Sequence, residues 1–157
     1  MGSQSKRDLI GEVAREVRAF QTAVDAVDEA VAGRLGLNRT DLRCLDLLGQ
    51  HGAMTAGELA TASGLTTGAI TRLLDRLEGA GYARRMRDTG DRRRVLVELT
   101  ELANTRATEL YGPIGEAGQT ELERYTADQL TLLRDFLRRG RALYEERVGR
   151  IRAPAQD

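Results

Sequence analysis

Six arginines, Arg84, Arg85, Arg87, Arg92, Arg93 and Arg94, crowd residues 82–99 against only Asp88, Asp91 and Glu98, a net of +3. Arginine carries a planar fork of donors that fits carboxylates and phosphates at two points. The chemistry on offer is therefore anion recognition. Bond-making chemistry finds little to work with: there is one histidine, His51, one cysteine, Cys44, and no HExxH, CxxC or GxxxxGK[ST] spacing. No motif sets up a metal site, a phosphate cradle or a Cys–His or Ser–His pair, so the chain reads as a non-enzyme with no cofactor. The basic field is local, because the whole chain balances 24 acidic against 24 basic residues and residues 1–32 sum to −2. Such a field survives in a neutral chain, since charges farther apart than a Debye length of ~8 Å are largely screened from one another.

The elements that must hold these arginines are legible around them. "YARRMRD" and "RRRVLVELT" read as two strands about "DTGD", with Gly90 supplying the turn and Val95, Val97 and Leu99 alternating inward against Leu96 and Glu98. Upstream, a helix over 38–50 opens at Asn38, buries Leu42, Leu45 and Leu48 and stops at Gly52, which can take the left-handed cap. A capping box from Thr55 to Glu58 starts a short helix. "LTTGAITRLLDRLEGAG" follows as a helix with Ile70, Leu73, Leu74 and Leu77 inward and Gly68, Thr71, Arg72, Asp75 and Arg76 outward. Ala60 suits a close helix crossing, Gly64 a turn of positive φ, and Ile70 a lock of the second helix onto the first. Two short helices so joined form a helix-turn-helix, and a basic-tipped hairpin behind them completes a winged helix. In that arrangement the outward face of the second helix suits a major groove and the wing arginines suit the phosphates and the adjacent minor groove. Asp91, two residues before Arg93, is expected to hold that guanidinium by a charge-assisted pair.

The chain ends carry long apolar stripes. Ile10, Val13, Val17, Phe20, Val24, Val27 and Val31 recur at three and four spacing over residues 8–32. Leu130, Leu133, Leu137, Tyr144, Val148 and Ile151 share one face of a helix opened by the Thr126–Gln129 capping box and interrupted by Gly140. Both helices could pack into their own subunit, but stripes at both ends point to a partner helix. The fold class is thus mainly α with a small β-hairpin: a dimerisation helix over 1–37, a winged helix-turn-helix domain over 38–100, and C-terminal dimerisation helices over 101–157.

"AGELATASGLTTGAITRLLDRLEGAGYARR" followed by "DTGDRRRVLVELT" resembles the MarR family of winged-helix transcription regulators, most strongly over residues 38–103. The resemblance implies a homodimer with intertwined terminal helices that binds double-stranded DNA at a near-palindromic operator, as a ligand-responsive repressor. It places the wing signature on Asp91 and Arg93, flanked by Arg92 and Arg94, and the groove-facing residues on Thr66, Thr67, Gly68, Thr71 and Arg72, with Arg76 one turn on. Ala103 departs from the glycine often found after the family's "LT", and Pro113, after Gly112, is expected to kink a long helix. A small-molecule effector is implied but not identified.

Two alternatives keep the fold. One is a thiol-responsive regulator working through Cys44; this cysteine, set among leucines, reads as a small buried hydrophobe without thiolate stabilisation. The other is a helical dimer that docks proteins without binding DNA. Single-strand or RNA binding usually stacks bases on aromatics, and of the four Tyr and two Phe only Tyr82 lies near the basic segment, where it suits the base of the wing. His51 suits a contact at a helix C-terminus. No apolar stretch approaches the ~18 residues of a membrane span. "MGSQSKRDLI" lacks the apolar core of a signal peptide, and Lys6 stands where a myristoylation motif needs Ser or Thr. A cytoplasmic protein without membrane contact is expected.

Overall fold

The computed structural model describes residues 5–152. In chain order the elements are α1 (Lys6–Leu35), α2 (Arg39–His51), β1 (Met54–Thr55), α3 (Ala56–Ser63), α4 (Thr67–Gly79), β2 (Ala83–Arg87), β3 (Val95–Leu99), α5 (Glu101–Leu122) and α6 (Ala127–Arg152). They fall into two compact units, one ending at Leu110 and the other beginning at Tyr111.

In the first unit, α1, α2 and α3 begin at capping boxes. Ser5, Asn38 and Thr55 each accept from the backbone N–H three residues on, and Asp8, Asp41 and Glu58 return a carboxylate oxygen to the cap's own N–H. Two of the four otherwise unpaired donors at each helix start are thereby satisfied. Thr66 caps α4 with one bond, its Oγ1 accepting from the Ala69 N–H at 3.3 Å. The turn between α3 and α4 closes on Gly64, which sits in the left-handed region at φ 74°. Ala60 and Ile70 are both buried beside it.

The core of this unit is built on α4. Ile70, Leu73, Leu74 and Leu77 are all at or below 1 % exposure and meet Cys44, Leu48, Leu59 and Val97. At ~1.5–3 kcal/mol for each fully buried side chain, this face dominates the attachment of α4. Leu42, expected inside, is only half buried, while Asp41 beside it is buried. Gly52 does carry a positive φ of 77°, but its ψ of −157° is extended rather than left-handed helical.

The sheet has three antiparallel strands in the order β1-β3-β2, where the sequence pointed to a two-stranded hairpin. β2 and β3 pair from Ala83 opposite Leu99 to Arg87 opposite Val95, and β1 adds Met54 opposite Val97 and Thr55 opposite Leu96. Arg92, Arg93 and Arg94, read as the start of a strand, lie instead in the connecting loop, and Val95, expected inward, is exposed. Val97 is the fully buried side chain of β3, and Leu99, also expected inward, packs partly buried against the core.

Apart from Val31 and Ala32, α1 is not buried, and Ile10 and Phe20 of its stripe are 61 % and 69 % exposed. Thr100 starts α5, its Oγ1 accepting from the Ala103 N–H at 3.2 Å and donating to the Gly81 carbonyl at 2.6 Å. The helix runs through Gly112 and Pro113 without interruption, although a proline leaves the carbonyl four residues earlier without its helical donor. In the second unit, Thr126 and Gln129 form the expected capping box of α6. Leu137, Tyr144 and Ile151 of the α6 stripe lie open to solvent.

Candidate nucleic-acid interface

The head of α4 stands clear of the core. Thr66, Thr67, Gly68, Thr71 and Arg72 are all exposed. Thr71 Oγ1 donates to the Thr67 carbonyl at 3.0 Å, which fixes the rotamer and leaves its oxygen free to accept. A Cβ on Gly68 would meet nothing within 4 Å, so no contact inside the chain calls for a glycine there.

The tip between β2 and β3 is shaped by aspartates. Asp88 Oδ1 accepts from the Gly90 N–H at 2.8 Å, and Asp91 Oδ1 accepts from the Arg93 N–H at 3.0 Å. Backbone bonds from Asp88 N–H to the Arg94 carbonyl, 3.0 Å, and from Arg94 N–H to the Asp91 carbonyl, 2.9 Å, close the loop. These are side-chain turns of the kind Asp favours. Gly90 lies in this turn as expected, without a positive φ, and one expectation is corrected: Asp91 holds the Arg93 backbone, with no ion pair to its guanidinium among the described residues.

The arginines sort into two sets. Arg84 pairs with Glu98 at 2.6 Å, Arg85 with Asp75 at 3.0 Å and with Glu78, and Arg94 with Glu58 at 3.2 Å and Asp88 at 3.8 Å. Arg76, expected on the open face of α4, is committed to Asp41: Nη2 donates to Oδ1 at 2.6 Å and Nε to Oδ2 at 3.3 Å. That hydrogen bond holds the Arg76 guanidinium above its ordinary pKa. By contrast, no carboxylate lies within ion-pair distance of Arg72, Arg87, Arg92 or Arg93 among the described residues. Within α4 and the wing, the cations available to an outside anion are therefore Arg72, Arg87, Arg92 and Arg93.

Asp41 and Glu58 are the residues sequence reasoning undervalued. Each stands at the third position of a capping box, which is a readable signal. Their partners lie 35 and 36 residues away, beyond any local pattern. Cys44 is fully buried, and burial pushes its thiol up, partly offset by Ser63. His51 is the last residue of α2 and is exposed, a position where a cation complements the helix C-terminus.

A three-stranded sheet behind a helix-turn-helix, with a loop carrying Arg92 and Arg93 beyond it, defines a winged-helix protein. The sequence profile of the MarR family matches residues 37–95. HTH-type transcriptional regulator YcgE of Bacillus subtilis, an uncharacterised protein, is 35 % identical over 153 residues, covering 97 % of this chain and 99 % of the relative. Multiple antibiotic resistance protein MarR of Salmonella typhimurium is 30 % identical over 140 residues, covering 87 % and 97 %. The solved structure of a MarR family protein from Bacillus stearothermophilus shares the fold, with a TM-score of 0.65 at 20 % identity over 93 % of this chain and 99 % of that one. The chain belongs to the MarR family. It is a DNA-binding transcription regulator of the helix-turn-helix type and not an enzyme. Among the described residues no helix is long and apolar enough to cross a membrane.

Proposed function

We propose that this chain acts as a homodimeric repressor at a near-palindromic operator, reading bases with Thr66, Thr67, Gly68, Thr71 and Arg72 in the major groove and placing Arg92 and Arg93 along the minor groove. The sorting of the arginines carries the reading. Within α4 and the wing, the guanidiniums left without carboxylates are those a duplex would meet, whereas Arg76 and Arg94 already hold carboxylate partners within the domain. Residues 38–100 serve as the reading module, and residues 1–37 and 101–157 as the dimerisation arms. The open stripes of α1 and α6 support that division, because apolar faces of this length are covered by a partner in a stable assembly. Release from DNA by a small-molecule effector is part of this reading, as membership of the MarR family implies. The burial of Cys44 disfavours thiol control, and a cytoplasmic location follows from the regulatory role.

Genomic selection of bound duplexes tests the whole reading. The expected motif is an inverted repeat with half-sites about one helical turn, ~34 Å, apart. Titration against duplex, single-stranded and RNA oligomers should show preference for the duplex. A selected pool without an inverted repeat, or equal affinity for single strands, would refute it.

A further inference from the structure

We infer that Asp41 and Arg76 are positioning residues for operator choice: the buried carboxylate in the first turn of α2 sets the lie of α4, and the half-exposed Arg76 acts through Asp41 rather than as a phosphate contact. The inference rests on the reading of α4 as the base-reading helix.

Asp41 is 2 % exposed, yet both its oxygens are engaged by Arg76, at 2.6 Å and 3.3 Å. Two-point contact fixes direction as well as distance, which a single ammonium cannot do. The acceptor is itself held, since the Asp41 N–H donates to Asn38 Oδ1 at 2.9 Å and Asp41 Oδ2 accepts from the Asn38 N–H at 3.4 Å. The donor leaves α4 one turn after Arg72, and its Nη1 reaches the Arg72 carbonyl at 3.5 Å. The clasp therefore ties a fixed point on α2 to the turn of α4 that carries Arg72.

Ile70, Leu73, Leu74 and Leu77 anchor α4 by close packing, and the clasp adds the directional constraint that apolar burial lacks. With side chains reaching roughly 5–6 Å from the axis, a turn of about 20° would carry their tips by roughly 2 Å, enough to spoil a bidentate base contact. Nor is Arg76 readily lent to a phosphate, because leaving a buried carboxylate unpaired is strongly unfavourable. The arrangement repeats at the wing. Glu58 accepts from the Thr55 N–H at 2.7 Å and hydroxyl at 2.9 Å and also takes Arg94 Nη2 at 3.2 Å. Each of these two capping-box carboxylates thus receives an arginine from a reading element.

The test uses the full chain carrying Asp41→Asn or Arg76→Lys, titrated on the selected operator and on a scrambled duplex across a salt series. Each variant should lower the operator-to-scrambled affinity ratio tenfold or more, leaving scrambled affinity and salt slope within error of wild type. Arg76→Lys keeps a cation beside Asp41 and decides the matter if Asp41→Asn fails to fold. An unchanged ratio, even with a lowered melting temperature, overturns the inference. So does a salt slope flattened by about 0.9 per subunit in Arg76→Gln with the ratio preserved, the mark of a lost phosphate contact. A wild-type chain with no operator preference would sink the DNA reading and this inference together, whereas a wild-type preference that survives both substitutions sinks the inference alone.

Discussion

Two double substitutions remove the same formal charge from the wing and should behave differently. Among the described residues no carboxylate lies in ion-pair reach of Arg92 or Arg93 in the loop, whereas Arg84 and Arg85 are held by Glu98 and by Asp75 and Glu78. Each phosphate neutralised on a duplex contributes ~0.9 to the slope of log K against log salt. Two free arginines in each of two subunits make four contacts, so Arg92→Ala/Arg93→Ala should flatten the slope by about 3.6. Over a fourfold change in salt, 50 to 200 mM, that is a difference of about two decades in how far affinity falls. Arg84→Ala/Arg85→Ala should flatten it by less than ~1, because those guanidiniums already serve carboxylates. Fluorescence anisotropy on operator and scrambled duplexes measures both slopes. Equal flattening by the two pairs would show that bulk charge, not the sorting into free and engaged arginines, governs binding. Asp91→Ala should weaken both duplexes moderately, because it releases the Arg93 backbone and loosens the loop.

Three further outcomes are expected. Val17→Asp combined with Leu137→Asp should convert a dimer to monomers and abolish operator binding, at several kcal/mol for each charge in a dry seam; light scattering that still reports a stable dimer would reject the assignment of the stripes. Cys44→Ser should lower unfolding stability by ~1–2 kcal/mol and keep operator affinity, and peroxide should leave both proteins bound; release of wild type alone would establish thiol control. Glu58 is held below the usual carboxylate range, first by the Thr55 N–H, then by the Thr55 hydroxyl and the charge of Arg94. Its stabilisation is therefore present above the unfolded value of ~4.3 and lost as pH falls through the lower folded value. The melting temperatures of wild type and Glu58→Gln should accordingly differ at neutral pH and converge in acid, and a constant gap between pH 7 and pH 3 would contradict this.

What could be read in advance was local. The box from Thr55 to Glu58, the small–Gly–branched pattern of Ala60, Gly64 and Ile70, and the inward face of α4 all depend on residues within a turn or two of one another. What escaped was either too short or too distant. Met54–Thr55 has no periodicity of its own, and it becomes a strand because β3 offers it a ladder. Arg76 looked like a groove contact because its position on the helix faces outward, and only the folded chain brings Asp41 beside it. At Asp91 two interactions competed, and the backbone turn prevailed over the ion pair. A short side chain reaches an N–H two residues on at little entropic cost, whereas the guanidinium pair would order a long arginine.

The same two-residue strand bears on how such regulators could be recombined. Thr55 is at once the partner of Leu96 in the sheet and the cap of α3, with Glu58 beneath it taking Arg94. A hairpin transplanted as residues 83–99 alone would arrive with β3 unpaired along one edge and with Arg94 lacking Glu58, the nearer of its two carboxylates. The smallest graft that carries its own support runs from Asn38 to Leu99, because α4 packs on Cys44 and Leu48 and its Arg76 is held by Asp41, and so includes α2 with the helix-turn-helix. Wing and reading helix are consequently inherited as one cassette, and only the tip over 89–93, bracketed by the Asp88–Arg94 backbone bond, is free to be exchanged or lengthened by itself.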